Sequence, residues 1–464
     1  MIRKIVLTLA AIFLFNGEIF SQKIITLEEA INIGIKNNSD LKQAKLDIEK
    51  AEAQVSEVFG NALPSLDFSA NFAHAIKKQV MPIDFQAMLM ETVYGILWGE
   101  GVVSEHGVMR PDPSKLPQGN NYASLQLDNT MQAQLQLTQI LFNSAVFTGI
   151  SVSKDYVEVT KSQYRAKVAD VTMNIKNAFY AVLFTKEMLN IVNVSFENAR
   201  ANLANVTALS NQGFVSEFTL LDAQVRVENI KPTIKQLENA VNSATDGLKI
   251  LLNISLNESI EVVGNIAYTE ENLQDVNRFV NQARNNNLNI NTLEQAIKLT
   301  QASVGVSESG YYPTIAAFAN YGYNAMSNTF KNWTTYPTSM VGLSFTMNLF
   351  KGLQTKYQVQ QSKIEVIKAE EQIAFLKDAI AMQVRTNVNE LLRIKEDIEA
   401  QKRNVSVAER AYSLATVRFK EGVGSQLEIL NSDVALRQAK TNLLESEYNY
   451  VISKARLDNL LGQP

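Results

Sequence analysis

Arg418-Phe419-Lys420-Glu421-Gly422-Val423-Gly424-Ser425 runs into Leu427 and Leu430, and 209 positions earlier Gln212-Gly213-Phe214-Val215-Ser216 runs into Leu220-Leu221. Each stretch reads as the reversal between two helices. Gly213, Gly422 and Gly424 supply positive φ where the chain turns. Ser216 and Ser425 stand where the returning helix needs an N-cap. Before the second turn, Val405, Ala408, Tyr412, Ala415 and Phe419 alternate three and four apart, the spacing of a coiled-coil seam. Their counterparts before the first turn are Phe196, Ala199, Leu203, Val206 and Ser210. Beyond the second turn Leu427, Leu430, Val434, Leu444 and Tyr448 carry the pattern on. The chain therefore holds two related helical hairpins.

The relation extends outward in both directions. At an offset of 249, Asn38 matches Asn287, Ala53 matches Ala302, Val55 matches Val304 and Pro64 matches Pro313. Leu141-Phe142 matches Leu349-Phe350, and Leu252 matches Leu461. The offset falls between Pro64 and Phe142, so the first half carries an insertion there, spanning 76–121. Two repeats result, 22–253 and 254–464. Each reads as a helical segment (Leu27 to Phe59, or Asn272 to Ser309), two strands, a long helix, a glycine turn and a returning helix. The long helices are expected from about Ser144 to Ser210 and from about Gly352 to Lys420. At 1.5 Å per residue each is about 100 Å long, more than a globular domain needs.

The strand segments alternate with period two. Leu66, Phe68, Ala70, Phe72 and His74 share one face, with Asp67, Ser69 and Asn71 on the other. Ile315, Ala317, Ala319, Tyr321 and Tyr323 repeat that phase. Met131, Ala133, Leu135 and Leu137 oppose Gln132, Gln134, Gln136 and Thr138, and Val341, Leu343, Phe345 and Met347 oppose Gly342, Ser344 and Thr346. Apart from Asp67 the polar face is amide and hydroxyl rather than Lys and Glu, as expected for a watery lumen. Phe72, Phe142, Tyr321, Tyr323 and Phe350 fall near strand ends, where barrels in membranes place aromatic girdles. Four strands cannot close a barrel, and an open edge in lipid leaves backbone groups unpaired at several kcal/mol each. Other copies of the chain must complete the sheet.

Composition narrows the function. The 464 residues carry a net charge of −4, with no Lys/Arg block, so nothing points to nucleic acid. With no cysteine, disulfides, thiolate catalysis and a cysteine-linked lipid are excluded. Two histidines, His74 and His106, leave little room for a metal or a catalytic set, and no phosphate loop or Ser/His/Asp arrangement is present. Neither an enzyme activity nor a cofactor is expected. At the start, Arg3 and Lys4, an apolar run from Ile5 to Phe15, and Ile19-Phe20-Ser21 before Gln22 follow the order of a secretory signal peptide over 1–21. The cut falls after Ser21 or one residue later. A membrane anchor or buried first helix is the other reading, but about eleven apolar residues are too few to cross ~30 Å of hydrocarbon.

This doubled order resembles the TolC-like outer membrane efflux family. The glycine turns carry the likeness, with Leu63-Pro64 and Tyr312-Pro313 where the chain runs into the strands and Leu141-Phe142 and Leu349-Phe350 where it leaves them. The resemblance implies a mainly α fold with a small β part: a long antiparallel coiled-coil helical barrel, plus four strands contributed to a shared transmembrane β-barrel. It implies a homotrimer in outer-membrane lipid with twelve strands, extending into the periplasm. It also implies a passive exit duct meeting a periplasmic adaptor (membrane fusion) protein and an inner-membrane pump. The turn residues Gly213, Phe214, Val215, Ser216, Gly422, Val423, Gly424 and Ser425 then form tips that either only turn the chain or also dock the adaptor. In the family, carboxylates just past these turns ring the narrowed tube and attract cations. Glu428 matches such a position and Asp222 lies nearby in the other half. Thr219 and Asn431 stand where members also carry acids, and Gly424 replaces a basic residue that latches the closed end. The gate therefore transfers only in part, and a solvated helix face is the other reading of Glu428.

Two alternatives stay open at this point. A wholly periplasmic coiled-coil adaptor or scaffold would lack a barrel, although adaptors usually add compact β-domains that this chain does not show. The insertion holds Met81, Met88, Met90, Trp98, His106 and Met109 among four prolines. It reads as an apolar surface lid at the outer mouth, with a methionine–histidine metal site as the weaker reading.

Overall fold

The computed structural model describes residues 23–79, 89, 92, 93, 95–97, 99, 100, 124, 126–266, 268 and 273–463. The leader expected over 1–21 and most of the 76–121 insertion, including its methionines and His106, lie outside the described residues. Strand β1 (Lys23–Ile25) precedes helices α1 (Leu27–Asn37) and α2 (Ser39–Gly60), strands β2 (Ser65–His74) and β3 (Asn129–Asn143), and helices α3 (Ser144–Asn211) and α4 (Glu217–Leu252). Then come β4 (Ile260–Val262), α5 (Val276–Asn286), α6 (Leu288–Glu308), β5 (Thr314–Ser327), β6 (Thr334–Thr346), α7 (Gln354–Lys420) and α8 (Gln426–Leu460). The long helices α3 and α7 hold 68 and 67 residues. None of the described helices is long and apolar enough to cross a membrane.

The chain divides into two compact units. The first comprises the described residues through Val55, Ser151–Val304 and Val359 onward. It contains two cores of like composition. One gathers Ile25, Ala30, Leu41, Ile175, Phe179, Val182, Leu248 and Leu252. The other gathers Phe279, Ala283, Ile290, Val384, Val388, Leu391, Leu457 and Leu461. Gly34 sits so close to the first core that a Cβ there would meet Ile175 Cδ1 at 2.1 Å, whereas its counterpart Ala283 is accommodated. The parallel pair β1–β4, which the sequence reading missed, lies beside the first core.

The single helical segments expected before each strand pair are each two helices. The break falls at Asn38 and at Asn287, the residues that mark the repeat. Asn38 Nδ2 donates to Leu251 O at 2.8 Å while Oδ1 accepts from Asp40 N and Leu41 N. Asn287 does the same with Leu460 O at 3.0 Å and with Asn289 N and Ile290 N. One buried amide thus caps α2 or α6 and binds a free carbonyl at the end of α4 or α8. The likeness continues at the C-caps. Asn253 is left-handed (φ 52) and its amide donates to Asn37 O. Gly462 (φ 72) replaces it, because a Cβ there would lie 2.2 Å from Asn286 O. The N-caps match too. Thr26 forms a capping box with Glu29, whose carboxyl is held below the ordinary range by the Thr26 backbone and hydroxyl, and Asp275 caps α5 through Arg278 N.

The second unit comprises Ser56–Ile150 and Gly305–Gln358. Its sheet has the order β2-β3-β5-β6, antiparallel throughout, so β2 and β6 are open edges.

Candidate functional site

The two hairpin turns close identically. Gly213 N donates to Ser210 O at 2.9 Å and Phe214 N to Leu209 O at 3.0 Å, and Gly422 N and Val423 N do the same with Phe419 O and Arg418 O. This is a Schellman closure, with Gly213 (φ 78) and Gly422 (φ 73) in the left-handed region. Gly424 does not share that conformation, contrary to the sequence reading. It is needed for space, since a Cβ there would sit 2.9 Å from Phe419 N and from Arg418 Cβ. Ser216 Oγ accepts from Thr219 N and Ser425 Oγ from Glu428 N, both at 3.2 Å, so both returning helices are capped as expected. Between the two turns lies a groove of about 700 Å³ lined by Leu209, Phe214, Val215, Phe419, Gly422 and Gly424. The Phe214 and Val423 side chains are largely exposed.

The seam residues of α7 face inward as expected, with Ala415 buried and Val405, Ala408, Tyr412 and Phe419 half-buried. On α8 the expected stripe is met at Leu430 and Leu444, which are buried, and at Tyr448, which is half-buried, but not throughout. Gln426, Ile429 and Leu430 turn inward, while Leu427 and Val434 remain exposed on a face that no described residue covers.

The four gate candidates fall into two equivalent pairs, each with one acid. Thr219 and Glu428 both occupy the third position of a returning helix, and Asp222 and Asn431 lie one turn further on. Arg418 Nε donates to Glu428 Oε2 at 3.3 Å, and its Nη2 donates to Val423 O at 3.3 Å, fastening the second turn. Asp222 accepts from Arg226 Nε at 3.2 Å along α4. Thr219 Oγ1 is engaged by Ser216 Oγ at 2.9 Å. Asn431 is exposed. Both ion pairs are solvent-facing, and such pairs contribute about 0–1 kcal/mol, too little to lock a helix.

A stronger tie was not singled out from the sequence. Asp433 on α8 accepts from Ser195 Oγ at 2.6 Å and Asn198 Nδ2 at 3.2 Å, both on α3. This joins the returning helix of one hairpin to the long helix of the other. The adjacent Tyr412 hydroxyl is pushed up, first by burial and then by the Asp433 charge. The sequence signal was faint: a lone acid beside the apolar positions Leu430 and Val434.

In the sheet, the alternation becomes two chemically distinct faces. Phe68, Leu135 and Tyr321 are cross-strand neighbours, as are Leu66, Leu137, Ala319 and Val341. Val341 is 82% exposed and Leu343, Phe345, Phe68 and Leu66 are similarly open. The opposite face aligns Asp67 with Gln136 and Asn320, and Asn71 with Gln132 and Asn324. Asp67 is the single charged residue in the four strands. A register shift between Ile140 and Phe142 inserts Leu141 and returns Phe142 to the apolar face, opposite Ile315. A monomeric soluble protein rarely leaves such an apolar face open. Among the described residues no group of three or more acidic or histidine side chains could hold a metal.

Comparison with known proteins agrees with this arrangement. A profile of the family described as outer membrane efflux protein matches residues 279–463. The outer membrane protein TolC of Salmonella enteritidis is 22% identical over 342 residues, covering 72% of this chain and 69% of its own. The alkaline protease secretion protein AprF of Pseudomonas aeruginosa is 19% identical over 332 residues, covering 70% of this chain and 68% of its own. The CmeC outer membrane channel of Campylobacter jejuni superposes with a TM-score of 0.70 at 18% identity, covering 94% of this chain and 85% of that one. The fold is that of an outer-membrane channel subunit, whose helices and strands build a helical barrel and a β-barrel. In sequence pattern, strand faces and fold, this chain is similar to the TolC-like outer membrane efflux proteins.

Proposed function

We propose that three copies of this chain form one outer-membrane exit duct, each contributing four strands to a twelve-stranded barrel in outer-membrane lipid. The observation that carries the reading is the antiparallel sheet with two open edges, one exposed apolar face and one polar face whose single charge is Asp67. A barrel in lipid needs that combination, since its outside must be apolar and its edges paired. A periplasmic adaptor without a barrel would leave the apolar face in water. In this reading 22–253 and 254–464 are two structural repeats, and each places one hairpin in the periplasmic tube. The duct serves an efflux or type I secretion system with a periplasmic adaptor and an inner-membrane pump. Purification in detergent is expected to give a trimer that survives carbonate washing of membranes beforehand. A monomer released by the wash would overturn the reading.

The hairpin tips are the adaptor-docking surface in this proposal. The groove between the turns, where apolar side chains meet Asn205, Lys420 and Glu421, and the exposed Phe214 and Val423 support it. Phe214→Asp and Val423→Asp place charge there without touching the glycine closures. Each is expected to reduce crosslinking to the adaptor several-fold while the trimer forms normally. Unchanged crosslinking in both would remove the tips from the docking surface.

Glu428 and Asp222 are the gate carboxylates, one from each hairpin, with Thr219 and Asn431 as their uncharged counterparts. A ring of carboxylates favours cations. Arg418 tempers Glu428 from within the same chain. Glu428→Gln in planar bilayers is therefore expected to move the reversal potential in a salt gradient toward zero. Arg418→Gln is expected to move it the other way. Identical selectivity in both variants would leave Glu428 as an ordinary solvated side chain.

A further inference from the structure

The rim of the sheet farthest from α2 and α3 is built differently from the rest. His74 and Phe72 occupy the last outward positions of β2, and the turn between β5 and β6 folds back over them. The Phe330 ring lies 6.2 Å from Phe72 and stacks on His74 at 6.4 Å with 20° between the planes. The turn is firmly held. Asn129 Nδ2 donates to Ser327 O, His74 Nδ1 pairs with Asn129 Oδ1 at 2.9 Å, and Asn328 Oδ1 accepts from Asp128 N and Lys78 Nζ. Trp333 Nε1 donates to Phe330 O. Even so, Phe330 is 68% exposed, and Ile76 just beyond is 97% exposed. An ordered aromatic platform is thus held open to the surroundings.

Among the described residues the charges beside it are unbalanced. Lys78 is neutralised by Asp128 at 3.1 Å. Lys77 and Lys331 are exposed, flank the platform in sequence, and have no carboxylate partner among the described residues. Aromatic side chains lie at the headgroup level of membranes, and an unpaired lysine beside an anionic surface is attracted to it. We infer that this rim binds a phosphorylated lipid of the outer leaflet. The phosphates meet Lys77 and Lys331, and the acyl chains run down from the Phe72–Phe330 platform along the apolar strand face. The inference rests on the barrel reading above and adds the chemical class of lipid at one place on it.

Native mass spectrometry of the detergent-solubilised full-length protein tests it with bisphosphorylated lipid A and the same lipid with both phosphates removed. The bisphosphorylated form is expected to bind about tenfold or more tightly, since each lysine near an anionic surface contributes roughly fivefold. Lys77→Gln/Lys331→Gln is expected to abolish most of that preference with assembly intact. Inorganic phosphate at the lipid's concentration is expected not to displace it. Equal binding of the two lipids, an unchanged preference in the double variant, or displacement by inorganic phosphate would each overturn the inference. Carbonate washing separates the two failures: a protein that stays in the membrane but shows no phosphate preference refutes only the lipid site.

Discussion

Leu135→Arg is expected to abolish accumulation of the protein in the outer membrane, whereas Gln136→Arg, the next residue of the same strand, leaves it in place. Leu135 lies mid-strand on β3 between Phe68 and Tyr321, at the centre of the apolar face. An arginine at the midplane of a barrel's lipid face costs about 2–4 kcal/mol. Three copies would multiply that cost within one assembly. The same side chain at 136 points to the polar face, directly across from Asp67. There it stays hydrated and meets an opposite charge, a favourable cross-strand pair. The measurement is the amount of trimer in washed outer membranes for the two variants side by side. Equal amounts would mean that the apolar face does not lie in lipid, and the barrel assignment would fail with it.

The second large effect is expected at the buried asparagines. Asn287 is 3% exposed and satisfies three backbone groups at once. Asn287→Ala removes a helix cap, about 0.5–2 kcal/mol. It also strands the Leu460 carbonyl without its donor, about 1–3 kcal/mol. A loss of about 1.5–5 kcal/mol is expected, read as a lower denaturant midpoint of the helical circular dichroism signal. Asn287→Asp retains the cap but places a carboxylate oxygen where the amide donated, 3.0 Å from Leu460 O. It is expected to be no better than alanine. Asn38→Ala is expected to lose a similar amount, and the double variant the sum, because the two sites belong to separate cores. If Asn287→Ala shifted the midpoint by less than about 0.5 kcal/mol, the amide would be a passenger rather than a tie.

The asparagines also show where sequence reasoning stopped. They marked the repeat at sequence level, yet apolar spacing runs on across them, so nothing there announces a break. The reason for the break lies at Leu251 and Leu460, far along the chain, and periodicity cannot see a carbonyl that distant. The same holds for Asp433, whose partners Ser195 and Asn198 sit on another hairpin. The turns were legible because their chemistry is local: a glycine in the left-handed region, then a serine cap. Gly424 was misread because close approach to Arg418 and Phe419 leaves no mark in sequence distinct from positive φ. The strand faces were legible for the opposite reason. Period two survives any substitution that keeps apolar and polar sides apart. On α8 the buried stripe was misjudged at Leu427 and Val434. A heptad reading assumes one partner helix, and these side chains look away from it.

Each asparagine tie also sets a topological scale. Asn38 and Leu251 are 213 positions apart, and Asn287 and Leu460 are 173 apart, so each half of the chain closes into its own ring. Closure entropy grows only with the logarithm of loop length. The larger first ring therefore costs merely about 0.2 kcal/mol more to close than the second. The insertion at the strand tip accounts for that difference in size. Its length can drift, lengthening or shrinking by tens of residues, with almost no thermodynamic pressure from the ring that carries it.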